Sequence, residues 1–301
     1  MPGLMLLDTP SLYFRAYYGV PESMTAPDGM PVNAVRGLID MIATLVRAHA
    51  PDELVACMDA DWRPAFRVAA IPSYKAHRVA TGHEEEVPDT LAPQVPVIER
   101  VLDALGVARV GVPGYEADDV IGTYTFRAGG PVDIVTGDRD LFQLVDDERS
   151  RRVLYTIKGI RNLQAIDEAQ VSAKYGIPGR TYADFATLRG DPSDGLPGVP
   201  GVGDKTAAAL ITRFGSLAAM LTALDDGVTD GFPAGSRLKL AKARDYLAVA
   251  PAVVKVAHDA PLPDISITRP VAPRDPETLV ALADRYGLDG PLNRLLTVLA
   301  A

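Results

Sequence analysis

The chain has 301 residues, 30 Lys+Arg against 39 Asp+Glu, and a formal net charge of −9. Apolar residues make up 48% and charged residues 23%, a globular balance that excludes wholesale disorder. Cys57 is the only cysteine, which excludes an intrachain disulfide and a cysteine-based zinc cage and fits a reducing cytoplasm. No run approaches the roughly 18 apolar residues of a membrane span. The start, Met1 to Asp8, lacks the basic region of a signal peptide, so no membrane association is expected.

In the first half, short apolar runs alternate with helical patterns. Residues 4–7 read as a buried strand, and 33–49 as a helix with Val35, Leu38, Ile39, Ile42, Leu45 and Val46 on one face. Residues 54–58 are a second strand. Residues 91–105 are mainly helical, with a firm start near Val97 because Pro93 and Pro96 precede it. A strand at 109–112, a helix at 116–126 and a strand at 132–135 follow, then a hairpin of 152–157 with 160–163 around Lys158-Gly159. Strands separated by helices predict an α/β fold with a mainly parallel sheet covered on both faces.

Beyond about residue 166 the texture changes. Short helical segments at 167–175, 182–188, 204–214, 216–224 and 234–247 are punctuated by Gly and Pro, most densely at 190–203. This predicts a small helical module. A proline-rich linker at 261–276 leads to one or two final helices within 276–299, and residues 24–31 and 81–90 read as exposed loops. The expected division is an α/β core at 1–166, a helical module at 167–255, and a linker with C-terminal helices packing on the core at 256–301.

Acids gather at the strand ends. Asp8 follows the first strand and Asp59 the second; Glu116, Asp118 and Asp119 lie where the third strand turns into a helix; Asp138 and Asp140 follow the fourth. In a parallel sheet they converge on the carboxyl edge, where open α/β sheets bind ligands. Singly, each also reads as a turn residue or helix cap. Together, unpaired carboxylates repel one another and call for cations. Oxygen donors without nearby histidine suit Mg²⁺ or Mn²⁺, and two such ions support phosphodiester cleavage. Gly190-Asp-Pro-Ser-Asp194 adds Asp191 and Asp194, which alone read as an Asx-turn.

The string Gly198-Val-Pro-Gly-Val-Gly-Asp-Lys-Thr-Ala207 fails as a P-loop, because Asp204 separates Gly203 from Lys205 and no strand precedes it. It fits a helical hairpin with a Gly-x-Gly turn, whose backbone N–H groups approach a phosphate without reading bases. Three acid-free stretches carry basic residues: 62–83 with Arg63, Arg67, Lys75 and Arg78; 149–166 with Arg149, Arg151, Arg152, Lys158 and Arg161; and 231–244 with Arg237, Lys239, Lys242 and Arg244. Local basic patches can hold a polyanion on an acidic chain, although each also reads as a solvated face.

The order of these motifs resembles the structure-specific 5′ nucleases, or flap endonucleases, and in particular the 5′-nuclease domain of bacterial DNA polymerase I and its free-standing relatives. The resemblance runs from Asp8 to about Leu247. It rests on Asp8; Asp59; Phe66-Arg67; Tyr74-Lys75-Ala-His-Arg78; Gly114-Tyr-Glu-Ala-Asp-Asp119; Thr136-Gly-Asp-Arg-Asp-Leu141; Gly190-Asp-Pro-Ser-Asp194; Leu196-Pro-Gly-Val199; and Gly201-Val-Gly-Asp-Lys-Thr-Ala207. It implies a PIN-like core with a helical arch at about 63–90 and a C-terminal helix-turn-helix clamp. The implied activity is 5′–3′ exonuclease and flap endonuclease cleavage of DNA in replication and repair, with flap, nicked or 5′-ended duplex as substrate. Asp8, Asp59, Glu116, Asp118 and Asp119 match one group of metal ligands, and Asp138, Asp140, Asp191 and Asp194 a second, for two or more Mg²⁺ or Mn²⁺ ions. Lys75 and Arg78 match arch residues, Arg15 a basic residue near the scissile phosphate, and Arg67, Gly201, Gly203, Lys205 and Thr206 the DNA-binding positions. A K⁺ ion at the clamp turn and a monomeric state are further expectations.

Two positions depart from the family pattern: Thr9-Pro10 follows Asp8 where Gly is usual, and Gly195 stands where Asn is usual. Neither removes a carboxylate. The chain ends at Ala301, so a polymerase domain is not expected. A catalytically weak DNA-binding homologue and a PIN-like ribonuclease are the rival readings; the complete acid set counts against the first and the 190–214 clamp string against the second.

Overall fold

The computed structural model describes residues 3–82 and 84–301; Met1 and Pro2, at the start of the expected core, and His83, within the expected arch, lie outside the described residues. A six-stranded sheet forms the centre: β1 (Leu4–Asp8), β2 (Glu53–Cys57), β3 (Ala108–Val110), β4 (Val132–Thr136), β5 (Arg151–Tyr155) and β6 (Gln164–Ile166), in the order β3-β2-β1-β4-β5-β6. All neighbouring pairs are parallel except β5 with β6. Side chains alternate across the strands, so Leu4, Leu6, Val55 and Ile134 enter one apolar cluster and Met5, Leu7, Leu54 and Val135 the other. Both faces are therefore covered, as a parallel sheet requires.

Around the sheet the chain forms α1 (Thr9–Gly19), α2 (Asn33–His49), α3 (Ala65–Ala70), α4 (Val95–Leu105) and α5 (Ala117–Arg127). The apolar stripe of α2 is buried as its 3.6-residue period dictates. One face holds α2 and α4, closed by α13 (Pro276–Tyr286) and α14 (Asp289–Leu299): α14 packs on α2 and α13 on α4. The other face holds α5 and runs without a break into the helical module of α6 (Glu168–Tyr175), α7 (Tyr182–Arg189), α8 (Asp204–Phe214), α9 (Leu217–Asp225), α10 (Ser236–Lys242), α11 (Arg244–Val249) and α12 (Pro251–Val254). Among the described residues no single helix is long and apolar enough to cross a membrane.

Several details differ from the sequence reading, among them that α4 already starts at Val95 and that α12 was not expected. The strand returning from β5 is Gln164–Ile166, and residues 160–162 form a 3₁₀ turn instead; the register pairs Tyr155 with Gln164, which lengthens the connection. The expected helix at 234–247 is broken at Ala243. The helix α1 was not expected, because its buried residues, Thr9, Pro10, Leu12 and Ala16, make too sparse a stripe to register.

Candidate active site

The sheet order reverses between β1 and β4, so the crossovers leave a crevice at their carboxyl ends. Asp8 ends β1 and caps α1: its Oδ1 accepts from the Ser11 N–H at 3.2 Å, and its Oδ2 from the Thr136 hydroxyl at 2.6 Å. Pro10 sits in the first turn of α1, where a missing N–H costs no hydrogen bond, so the Thr9-Pro10 departure leaves a sound helix start. Asp59 follows β2 and accepts from the Ala117 N–H at 2.7 Å. Asp118 lies in the first turn of α5, and Asp138 follows β4, accepting from the Asp140 N–H at 2.8 Å. These four acids line one cavity of about 430 Å³, together with Glu116, Lys75 and Arg78.

No cation pairs with Asp8, Asp59, Asp118 or Asp138 among the described residues. Burial, with the charges of Asp138 and Asp59 added, pushes Asp8 up to about 7 despite its hydrogen bond from Thr136. Burial and then the charges of Asp8 and Asp138 hold Asp118 well above the ordinary carboxylate range. Solvent reaches Asp59 and Asp138, yet the surrounding wall depletes water enough to raise both. Like charges in a crevice partly walled from water disfavour the ionised form. The electrostatic strain at this rim is relieved by a cation or a proton.

The other acids of the expected ligand groups are differently placed. Asp119 is not available as a ligand here. It is 0% exposed, and its two oxygens accept from Arg67 Nη1 at 2.7 Å, Arg67 Nη2 at 2.6 Å, the Glu116 N–H at 3.1 Å and the Ala257 N–H at 2.8 Å. Those contacts occupy the roughly four lone-pair sites of a carboxylate. Arg67, expected at the DNA, is likewise corrected: it is 2% exposed, bridges Glu116 and Asp119, and donates from Nε to the Val253 carbonyl at 3.0 Å. It ties α3 to α5 and α12. Glu116 is bound by Arg67, Lys75 and the Tyr74 hydroxyl; burial raises its carboxyl and the two cations oppose that.

The second group divides as well. Asp191 is buried and held by Ser193, by Arg139 at 3.0 Å and by Arg189 at 3.4 Å. Burial alone would raise it, but those hydrogen bonds hold it below its ordinary value. Asp194 pairs with Arg78 at 2.8 Å. Asp140 retains an Oδ1 with no partner among the described residues, and burial beside Asp138 and Asp194 holds it well above its usual range.

Among the described residues of the expected arch, helical structure is confined to α3 and a 3₁₀ turn at Ala76–Arg78. The segment rests on the Asp191–Asp194 loop. The Lys75 N–H donates to the Asp194 carbonyl at 3.0 Å, the Ser73 hydroxyl to the Gly195 carbonyl at 2.8 Å, and Arg78 to the Ser193 carbonyl at 2.7 Å. Gly195 has φ +71°, and a Cβ there would run into the Ser73 carbonyl. The Gly195 departure thus lets the two segments touch. Arg15 reaches the vicinity of Gly137 from α1, and its Nε lacks a partner among the described residues.

At the clamp string, Gly201 and Gly203 are exposed, and Gly203 caps α8 without a side-chain hydrogen bond. Lys205 is exposed and Thr206 half-buried in the first turn of that helix. The Gly201 carbonyl accepts from Lys239 Nζ at 2.8 Å, so an ammonium sits at the turn where K⁺ was expected. Sequence reasoning placed this lysine only in a basic stretch and missed its contact with the turn, and it missed Thr136, Tyr74, Arg139 and Arg189 as partners of the acids. All but Arg189 and Lys239 lie inside quoted motifs, but nothing in residue type or spacing distinguishes a residue that holds an acid from its neighbours.

Among the described residues no three His, Cys, Asp or Glu side chains stand close enough to cage an ion. The donor set nevertheless fits a hydrated hard cation. Mg²⁺ keeps several waters and needs one or two protein carboxylates, completing its shell with phosphate oxygens. Asp8, Asp59, Asp118 and Asp138 offer oxygen donors with uncompensated charge on one wall, which suits that mode and not a closed zinc cage.

Two family profiles match the chain: the 5′-3′ exonuclease N-terminal resolvase-like domain over residues 3–176, and the 5′-3′ exonuclease C-terminal SAM fold over 177–275. A 5′-3′ exonuclease of Streptomyces coelicolor is 65% identical over 302 residues, covering 99% of this chain and 100% of that protein. DNA polymerase I of Mycobacterium bovis is 45% identical over 228 residues, covering 74% of this chain and 24% of the polymerase. Bacteriophage T5 flap endonuclease, solved in a pseudo-enzyme–product complex with DNA and metal ions, shares the fold with a TM-score of 0.64 at 15% identity, covering 99% of this chain and 100% of that one. With an acidic crevice at the switch point of a resolvase-like core, and a helical module continuous with it, the chain belongs to the 5′-3′ exonuclease family, a family of phosphodiester-cleaving nucleases.

Proposed function

We propose that this chain cleaves DNA at phosphodiesters near 5′ ends and single-strand/duplex junctions, with the reacting phosphate over the rim formed by Asp8, Asp59, Asp118 and Asp138. The observation that carries the reading is that these four carboxylates share one cavity with Lys75 and Arg78 and have no internal counter-ion among the described residues. Mg²⁺ or Mn²⁺ held there supplies water activation and charge neutralisation at the leaving oxygen when bound. The relatives named 5′-3′ exonuclease, and the DNA and metal ions of the T5 complex, support the substrate and the cation class.

The chain's own residues then have separate tasks. Lys75 and Arg78 are now spent on Glu116 and Asp194. Exchanging those carboxylates for phosphate oxygens keeps their charge compensated while orienting the 5′ strand. Arg15 adds a third cation, from α1. Arg67 and Asp119 hold α5 so that Asp118 is presented at the rim. The exposed N–H groups of α8, with Gly201, Gly203, Lys205 and Thr206, grip duplex backbone without reading sequence. Residues 1–166 act as the nuclease core, 167–255 as the duplex clamp, and 256–301 as a brace across the core. A cytoplasmic monomer working beside replication and repair proteins fits this division.

The test is a 5′-labelled flap substrate incubated with Mg²⁺, Mn²⁺ or EDTA, with product lengths read on a gel. Cleavage near the junction with either ion, and none in EDTA, is expected. Undiminished cleavage in EDTA, or cleavage only at internal duplex positions, would overturn the proposal.

A further inference from the structure

The edge of the sheet opposite the acids holds a second built cavity. It has a volume of about 530 Å³ and lies where β5 begins and α5 ends, walled by residues 143–146, α7 and the strap at 255–259. It shares no lining residue with the acidic cavity.

Two polar side-chain atoms on its wall are buried without a partner among the described residues. Arg151 is 8% exposed and its Nε is unbonded; Thr125 is 1% exposed and its Oγ1 is unbonded. The nearby carboxylate of Asp146 pairs with Arg149 at 3.8 Å and opposes the shift of Arg151 through its charge alone. Burial, with the Arg149 charge beside it, pushes the Arg151 guanidinium below its usual value. A buried, unpaired cation is costly unless an anion joins it. The exposed Arg180 and Lys255 line the same cavity; Lys255 is partly offset by Asp184 at 3.0 Å. Asp146 and Asp259 are the acids on this wall, leaving cations in excess. Beside the cations, Phe126 is 57% exposed and stacks on His258, with centroids 4.9 Å apart and planes at 28°. That pair is a flat apolar platform at the cavity edge.

We propose that this cavity binds a nucleoside monophosphate unit. The phosphate sits against Arg151 and Arg180 with the Thr125 hydroxyl donating to it, and the base lies on the Phe126–His258 platform. Guanidinium groups match phosphate oxygens in pairs, and stacking on an aromatic ring tolerates any base. The volume falls in the range of about 300–1,000 Å³ usual for small-ligand sites. The unit comes either as a free nucleotide or as the end of a single strand. The inference does not depend on the metal reading of the first cavity.

The experiment is calorimetric titration of the full chain in EDTA, with Phe126→Ala and Arg180→Gln telling this cavity from the cations that line the first one. The probes are 2′-deoxyadenosine 5′-monophosphate, deoxyadenosine, inorganic phosphate, and a 5′-phosphorylated single-stranded pentamer. Saturable binding of the monophosphate is expected, with both fragments weaker. Phe126→Ala, at an exposed position, should weaken the monophosphate about tenfold through lost stacking and leave inorganic phosphate unchanged. Arg180→Gln, also exposed, should weaken both; Arg151→Gln should abolish both, if circular dichroism shows it folded. Pentamer binding as tight as the monophosphate assigns the site to a strand end, and weaker pentamer binding assigns it to the free nucleotide; either supports the site. No saturable binding at millimolar monophosphate, or equal affinity in wild type, Phe126→Ala and Arg180→Gln, would overturn it.

Discussion

Asp118 and Asp119 are neighbours in the first turn of one helix and have the same side chain, yet they stand in opposite electrostatic surroundings. Asp118 faces the crevice, has no cation partner among the described residues and is held well above its usual range. Asp119 faces the interior and receives four N–H donors, two of them from Arg67. The pair stands for a wider division. Asp8, Asp59, Asp118 and Asp138 have no ion-pair partner among the described residues, whereas Glu116, Asp119, Asp191 and Asp194 carry their own counter-ions. An acid whose lone pairs are already filled builds the site; an acid left without a partner is free to do chemistry in it.

The widest separation should come from isosteric amides. Asp118→Asn should lower Mg²⁺-dependent cleavage by roughly a hundredfold or more, because an amide carries no charge to hold a hard cation. Its melting temperature in EDTA should stay the same or rise, since one repelling charge is gone. Single-turnover cleavage alongside thermal melts checks both halves. A fall in melting temperature would place Asp118 in the structural set.

Asp119→Asn should do the reverse. Removing one partner of a buried ion pair costs about 3–5 kcal/mol, so denaturant unfolding should show a stability loss of that order, unchanged by excess Mg²⁺. Cleavage below the new melting temperature should fall less than in Asp118→Asn. If stability were preserved and cleavage lost, Asp119 would belong with the ligands.

A smaller effect is set by pH. Asp8 has a folded-state value of about 7 against an ordinary 3.8, so the folded chain binds a proton that the unfolded chain releases. In EDTA its contribution must therefore weaken stability as pH rises from about 4 to 7, and the full penalty is present above that. Added Mg²⁺ relieves the penalty, so the Mg²⁺-induced rise in melting temperature should grow between pH 6 and pH 8. A rise independent of pH in Asp8→Asn but not in the wild type would tie the effect to this residue; the same dependence in both would break the tie.

The smallest expected change is at the clamp. Lys205→Ala should leave single-turnover cleavage at saturating enzyme intact, weaken all duplexes alike, and reduce the salt slope of binding by about one phosphate contact. Titrations at two salt concentrations measure it. A sequence-dependent loss would mean that the α8 terminus touches bases.

Much of this was legible in the chain itself. The period of α2 and the apolar runs of β1, β2 and β4 follow from local hydrophobic patterning, and both survive folding because each buries its own face against the sheet. The crevice was legible too, because acids directly after parallel strands have only one edge to occupy. The break at Ala243 was not, since no Gly or Pro marks it. Nor was the role of Arg67: in the sequence it is a base in an acid-free stretch matched to a DNA-binding position, and its burial depends on α12, which brings Val253 to it from far along the chain.

The sequence by itself determined which residue types reach the carboxyl edge and in what order, because strand direction and side-chain alternation are local properties. Only the tertiary structure decided which acids are satisfied. Satisfaction depends on donors that arrive from elsewhere: Arg67 from α3, the Ala257 N–H from the strap, Lys75 and Arg78 from the segment resting on Gly195. A carboxylate's charge is written in its residue type, but whether that charge is free depends on which distant donors pack against it.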